Sequence, residues 1–282
     1  MRPEPNKDVD SNLPHITIQM PVYKESLEQT MSVSTDDNVD ASPLTLCSSP
    51  SVFHLKKAMQ TYARQGGSSA IFIHDDGLQL IPEKDRDARI AFYADHNIGW
   101  VARPAHDSSI GGFKRAGRFK KASNLNYGLV LSLKLEKHLK ALQEAEEREE
   151  LDYSDDTSLE DRALHMACDE VFAEGGEKWK PWASNGRSIR IGEIVLLVDA
   201  DTVVPEDCLR DAARELAESP EVAIIQHESG MQFAMVHCQL TVLSALLPQT
   251  SCRLLITTLR MASHILRDES TSVSRWVVRT VR

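Results

Sequence analysis

The chain predicts an α/β fold, a mostly parallel, Rossmann-like, nucleotide-binding sheet with helices on both faces. Three observations predict it. Short β-rich apolar runs alternate with amphipathic helical patterns from residue 15 to residue 227, the β-α-β repetition that builds a parallel sheet. The run Ile194-Val195-Leu196-Leu197-Val198 is apolar throughout, as a strand buried on both faces must be. Three runs end in polar sets: Pro21-Val22-Tyr23-Lys24-Glu25, Asp75-Asp76-Gly77 and Asp199-Ala200-Asp201. In open α/β sheets ligands bind beyond the carboxyl ends of the strands, so such ends converge on one crevice.

In chain order, residues 1–13 read as a disordered N-terminus and 14–232 as one domain. His15 to Met20 alternates and stops at Pro21, a strand. Residues 31–49 are Ser/Thr/Asp-rich and aperiodic, an atypical insertion where a βα loop ordinarily takes about 2–6 residues. Val52, Leu55, Ala58, Met59 and Tyr62 share one helical face, which Gly66-Gly67 ends. Ala70 to His74 is a second strand, residues 82–95 a charged amphipathic helix, and Ile98 to Ala102 a third strand. A long helix runs from Leu129 to about Glu150. Residues 134–192 read as a polar helical excursion outside the sheet, with Trp179 and Trp182 as packing anchors rather than a sugar platform. After the central strand come a helix over 207–219 and a strand over 222–227. The alternation stops at Phe233. The tail, 233–282, is atypical, rich in Arg, Ser and Thr, and reads as translated out of frame, which leaves the sheet incomplete at its C-terminus with an exposed edge.

A net charge of −10 and a pI near 5.5 argue against a nucleic-acid binder, whose footprint is basic. Cys47, Cys168, Cys208, Cys238 and Cys252 are scattered and lack CxxC spacing, so they read as reduced thiols of a cytosolic chain. The N-terminus carries no signal-peptide pattern, and no apolar run reaches the length of a membrane span.

Asp199 and Asp201 lie on the same side of an extended backbone. Two hard carboxylates at a strand end suit Mg²⁺ or Mn²⁺ shared with a substrate diphosphate; a polar strand end ahead of a helix start at Pro205 is the plainer alternative. Residues 114–121 form the one basic cluster of an acidic chain and abut Ala122-Ser123-Asn124-Leu125-Asn126, a helix start. Cations beside a helix N-terminus make an anion pocket for a diphosphate or, second, an anionic membrane surface. His74 reads as a strand-end histidine satisfied by hydrogen bonds rather than a ligand.

PVYKE at 21–25, DDG at 75–77, KASNLN at 121–126 and DADT at 199–202, in this order and spacing, resemble the family 2 glycosyltransferases, the relatives of cellulose, chitin and hyaluronan synthases, and among them the membrane-bound fungal members. The resemblance covers residues 14–30 and 50–232. It implies a GT-A-like fold and inverting transfer of a sugar from a UDP-sugar to the hydroxyl of a carbohydrate acceptor, in polysaccharide and cell-wall synthesis. By the same implication Pro21, Tyr23 and Glu25 line the uridine pocket, and Asp75 and Asp76 hold the uracil or ribose. Lys121, Asn124 and Asn126 face the diphosphate or donor sugar, and Asp199 and Asp201 bind Mn²⁺ or Mg²⁺ on the diphosphate. The family's downstream base motif and QxxRW motif are not recognisable, so the catalytic base is unknown and the chain reads as the donor half of a transferase, truncated after the DxD region. The family is membrane-associated with its catalytic domain on the cytoplasmic side; this chain alone, without a transmembrane segment, reads as cytoplasmic. Two alternatives stay open: a catalytically inactive UDP- and metal-binding module, and a phosphatase or hydrolase using Asp199 as nucleophile.

Overall fold

The computed structural model describes residues 3–23, 51–117, 120–148, 157–200, 202–228 and 274–279. The expected insertion at 31–49 and most of the 233–282 tail lie outside the described residues.

The sheet is centred on β1 (His15–Val22). It pairs in parallel with β2 (Ser68–Asp75) on one side and with β5 (Ile194–Leu197) on the other. β3 (Gly99–Ala102) extends the β2 side in parallel. The full order is β4-β3-β2-β1-β5-β7-β6. β1 continues two residues past Met20, through Pro21. Val198 N–H donates to the Gln19 carbonyl at 3.1 Å, so the odd positions of β1 face β5. The ladder with β5 ends at Gln19 paired with Leu197. Pro21 therefore lacks its N–H where no strand asks for one.

Alternation divides the core. Ile16, Ile18, Met20, Ile71, Ile73 and Trp100 face one side, where α2 (Ser51–Arg64), α3 (Glu83–Asp95) and α7 (Cys208–Glu218) cover them. Val52, Leu55, Ala58 and Tyr62 make the buried stripe of α2. Phe72 and Val101 face the other side, beneath α4 (Lys121–Glu147) and α5 (Leu159–Glu174). Leu131, Leu135, Leu139 and Leu142 of α4 pack there against Ala163, Leu164, Ala167 and Cys168 of α5. Two sided coverage is what an apolar parallel strand requires. This is the α/β architecture expected, a mostly parallel sheet flanked by helices and consistent with a GT-A-like fold.

Four expectations change. Residues expected to be disordered include a short helix, α1 (Lys7–Ser11), capped by the Asn6 carboxamide oxygen and tied down by Asp10, whose carboxylate accepts from Arg214 at 2.6 and 2.8 Å. The 134–192 excursion does return to the sheet: β4 (Trp182–Ser184) pairs antiparallel with β3, followed by the one-turn α6 (Gly186–Ile189). A three-residue strand is too short to show a period, and Trp182 packs edge-on to Trp100 with ring centroids 5.2 Å apart. The tail also contributes a strand. β7 (Ser274–Arg279) lies antiparallel between β5 and β6 (Ile224–Glu228), so the β5 side does not end as an open edge there. Finally, the helix start expected over 122–126 and the long helix expected from Leu129 form one continuous helix, α4, from Lys121 to Glu147.

Candidate functional site

The ends of β1, β2, β3 and β5 and the first turn of α4 meet at the carboxyl edge of the sheet. The turn after β2 is locked first. A side chain on Gly77 would place its Cβ 1.6 Å from the Tyr23 carbonyl oxygen, so only glycine lets the β2 turn close on the β1 end. Asp75 is fully buried and points inward. Its carboxylate accepts from Arg89 Nη1 at 3.0 Å, the Tyr93 hydroxyl at 2.8 Å and the Gly77 amide at 2.8 Å. Burial raises its pKa, against the pull of Arg89, Tyr93 and that amide. The position of its carboxylate makes Asp75 a brace between β2 and α3 and corrects the expectation that it meets the nucleotide.

Asp76 is also buried. Arg103, the residue after β3, grips it with Nε at 3.0 Å and Nη2 at 2.5 Å, and Arg115 Nη1 adds a contact at 3.4 Å. Arg103 also donates to Ser123 Oγ at 2.8 Å and to the Lys120 carbonyl at 3.2 Å. One planar guanidinium thus joins the ends of β2 and β3 to the start of α4, a task for its fixed fork of donors. Arg115 donates to the carbonyls of Pro104 and Arg103 at 2.9 and 3.0 Å. It is therefore buried framework and not a member of the exposed basic cluster.

Lys120 adopts a left-handed conformation, φ 61°, as the chain enters α4. Lys121 then reaches across to Asp199 Oδ1 at 3.0 Å, joining the α4 start to the β5 end. Thr202 N–H returns to the Asp199 carbonyl at 3.1 Å and closes the turn after β5. Asn124 is buried, and its amide donates to the His74 carbonyl at 3.0 Å. It binds α4 to the end of β2 instead of facing the crevice. Asn126 is exposed, Tyr23 is half-exposed, and Pro21 is partly buried beside His74 in register. Lys24, Glu25, Arg118, Phe119 and Asp201 lie outside the described residues.

His74 departs from expectation. It is fully buried, and neither ring nitrogen has a hydrogen-bond partner among the described residues. Its ring lies against Phe72, centroids 4.2 Å apart, and under Gly128, where a Cβ would come within 2.2 Å of Cε1. Burial, helped by the Arg103 charge, lowers its pKa to about 3. It is a neutral packing residue below the site.

Sequence reasoning missed Arg103 as the organiser of the edge, and Arg89 and Tyr93 as partners of Asp75. The available signal was an arginine directly after a fully apolar strand, beside a strand ending in two aspartates. Among the described residues no three His, Cys, Asp or Glu side chains gather as a metal cluster. Among the described residues at the β5 end, Asp199 offers a partly exposed hard carboxylate, 36% exposed. No helix among the described residues is long and apolar enough to cross a membrane.

Open parallel sheets covered on both faces take their ligands at this edge, and here it carries the Asp199–Lys121 ion pair. Residues 194–247 match the model of the family described as Glycosyl transferase family group 2. The match begins with β5 and takes in the Asp199 turn, α7 and β6. It runs on to residue 247, past residue 232 where the sequence resemblance was drawn to a close. It supports glycosyltransferase activity in general terms. No curated protein matches the chain.

Proposed function

We propose that this chain binds a UDP-sugar with Mn²⁺ or Mg²⁺ and transfers the sugar, with inversion, to a carbohydrate hydroxyl in polysaccharide synthesis. The observation that carries the reading is the meeting of Lys121 and Asp199 at 3.0 Å, at the end of the strand where the glycosyltransferase match begins. Asp199, with Asp201 two positions on, supplies the carboxylates for the cation. Such cations keep several waters and take one or two carboxylates beside substrate phosphates, so this small donor set fits. Held by these carboxylates, such a cation would supply positive charge to offset that of the departing nucleoside diphosphate. Lys121 adds a point charge to the same diphosphate, at an α4 N-terminus that itself favours anions. Asp76 meets the uracil or ribose. Arg103 holds both carboxylate oxygens and Arg115 Nη1 lies 3.4 Å from one of them, which fixes the carboxylate at the end of β2. Tyr23 and Glu25 are the residues we assign to the uridine.

The test is release of UDP from a panel of UDP-sugars, with Mn²⁺ and oligosaccharide acceptors. Release that rises with acceptor supports transfer. Tight UDP binding with no release supports the inactive donor-binding module. Phosphate release from phosphomonoesters, lost in Asp199→Asn, would overturn the reading in favour of an aspartate nucleophile.

A further inference from the structure

Lys121 and Asp199 are both assigned to donor binding, yet here they bind each other. Their side chains are 44% and 36% exposed, so the pair opens directly to solvent. The backbone beneath Lys121 is fixed. Arg103 holds the Lys120 carbonyl and Ser123 Oγ, and Asn124 is tied to His74. Any rearrangement of the pair therefore belongs to the lysine side chain and not to the helix. We infer that this pair is a hand-off: Lys121 occupies the cation position at Asp199 until the donor arrives, then moves to the diphosphate, so that cation and nucleotide bind cooperatively. The inference rests on the donor reading above.

Charge counting gives the sign. A divalent cation arriving alone must displace the Lys121 ammonium from Asp199 and leave it facing water. A diphosphate arriving alone meets a lysine already committed to a carboxylate. When both arrive, the ammonium exchanges one anion for another, and Asp199 exchanges one cation for another. Linkage then requires that UDP tighten the cation by the same factor as the cation tightens UDP. An exposed pair of this kind is worth little in stability, which sets the factor at roughly two- to five-fold.

The experiment is Mn²⁺ binding followed by the paramagnetic resonance of the free ion, with and without UDP, on the whole chain. Wild type is compared with Lys121→Met, with Lys121→Gln as a second removal of the charge, and with Lys140→Met, an equal loss of charge at an exposed position farther along α4. Without UDP, both Lys121 variants bind Mn²⁺ about two- to five-fold tighter than wild type, and Lys140→Met does not. The factor by which UDP tightens Mn²⁺ shrinks in the Lys121 variants by at least the same amount. Unchanged or weaker Mn²⁺ binding without UDP would overturn the hand-off, as would equal tightening with and without UDP, which is only a change of local charge. Wild type that binds both ligands with no effect of Lys121 overturns the hand-off alone; wild type that binds neither overturns the donor reading with it.

Discussion

The ends of β2 and β5 carry similar acidic signatures and put them to opposite uses. At β2, both aspartates are buried and gripped, Asp75 by Arg89 and Tyr93, Asp76 by Arg103 and Arg115. At β5, Asp199 is partly exposed and shares its described ion pair with one long, partly exposed lysine side chain. The difference lies in what stands behind each carboxylate. Buried charges need charged, hydrogen-bonded partners to exist at all, so the β2 end is a rigid wall. An exposed pair is nearly indifferent to folding and is left available for ligands.

The largest consequence is at the wall. Asp75→Ala removes the buried carboxylate that Arg89 and Tyr93 share and is expected to cost about 3–5 kcal/mol of stability, read by urea unfolding. A loss under 1 kcal/mol would mean that Arg89 escapes to water and the wall is softer than drawn.

Next is pH. The folded state holds His74 neutral, with a pKa of about 3, whereas in the unfolded chain it titrates near its ordinary value. A folded-state pKa below the unfolded one stabilises fully above the unfolded pKa, near 6.5, and the contribution fades as pH falls toward 3. Stability should therefore drop by about 1.4 kcal/mol per pH unit between pH 6 and pH 4 from this group alone. His74→Leu should flatten that part of the profile; an unchanged slope would assign the acid sensitivity elsewhere.

Gly77→Ala drives a methyl group into the Tyr23 carbonyl and is expected to cost about 1–3 kcal/mol, with the turn after β2 lifting away from the end of β1. The smallest effect belongs to the other end of the comparison. Asp199→Ala should change stability by less than about 0.5 kcal/mol in the same unfolding assay. A loss as large as that of Asp75→Ala would erase the distinction between wall and mouth.

Much of this was legible in the sequence. The apolar run at 194–198 and the period of α2 fixed strand and helix because burial on two faces and on one face leave different patterns. The polar strand ends pointed to the carboxyl edge of the sheet, where β1, β2 and β5 do end side by side. What stayed hidden were partners distant in sequence. Nothing near Asp75 announces Arg89 and Tyr93, and Arg103 gains its meaning only when β3 lies beside β2. Asn124 looked like a ligand because an amide at a helix start suits a phosphate equally well; its helical angle turns it to the His74 carbonyl instead. β4 and β7 escaped notice because an antiparallel strand of three or six residues has too few positions to show a period.

The most direct test of the account is a thermal-shift titration of the whole chain with UDP, with and without Mn²⁺, in wild type and Asp199→Ala. A ligand that binds only the folded state raises the melting temperature. The account predicts a rise with UDP that depends on Mn²⁺ and vanishes in Asp199→Ala, while both proteins melt at nearly the same temperature without ligand. A clear cooperative melt that neither UDP nor Mn²⁺ moves would contradict it.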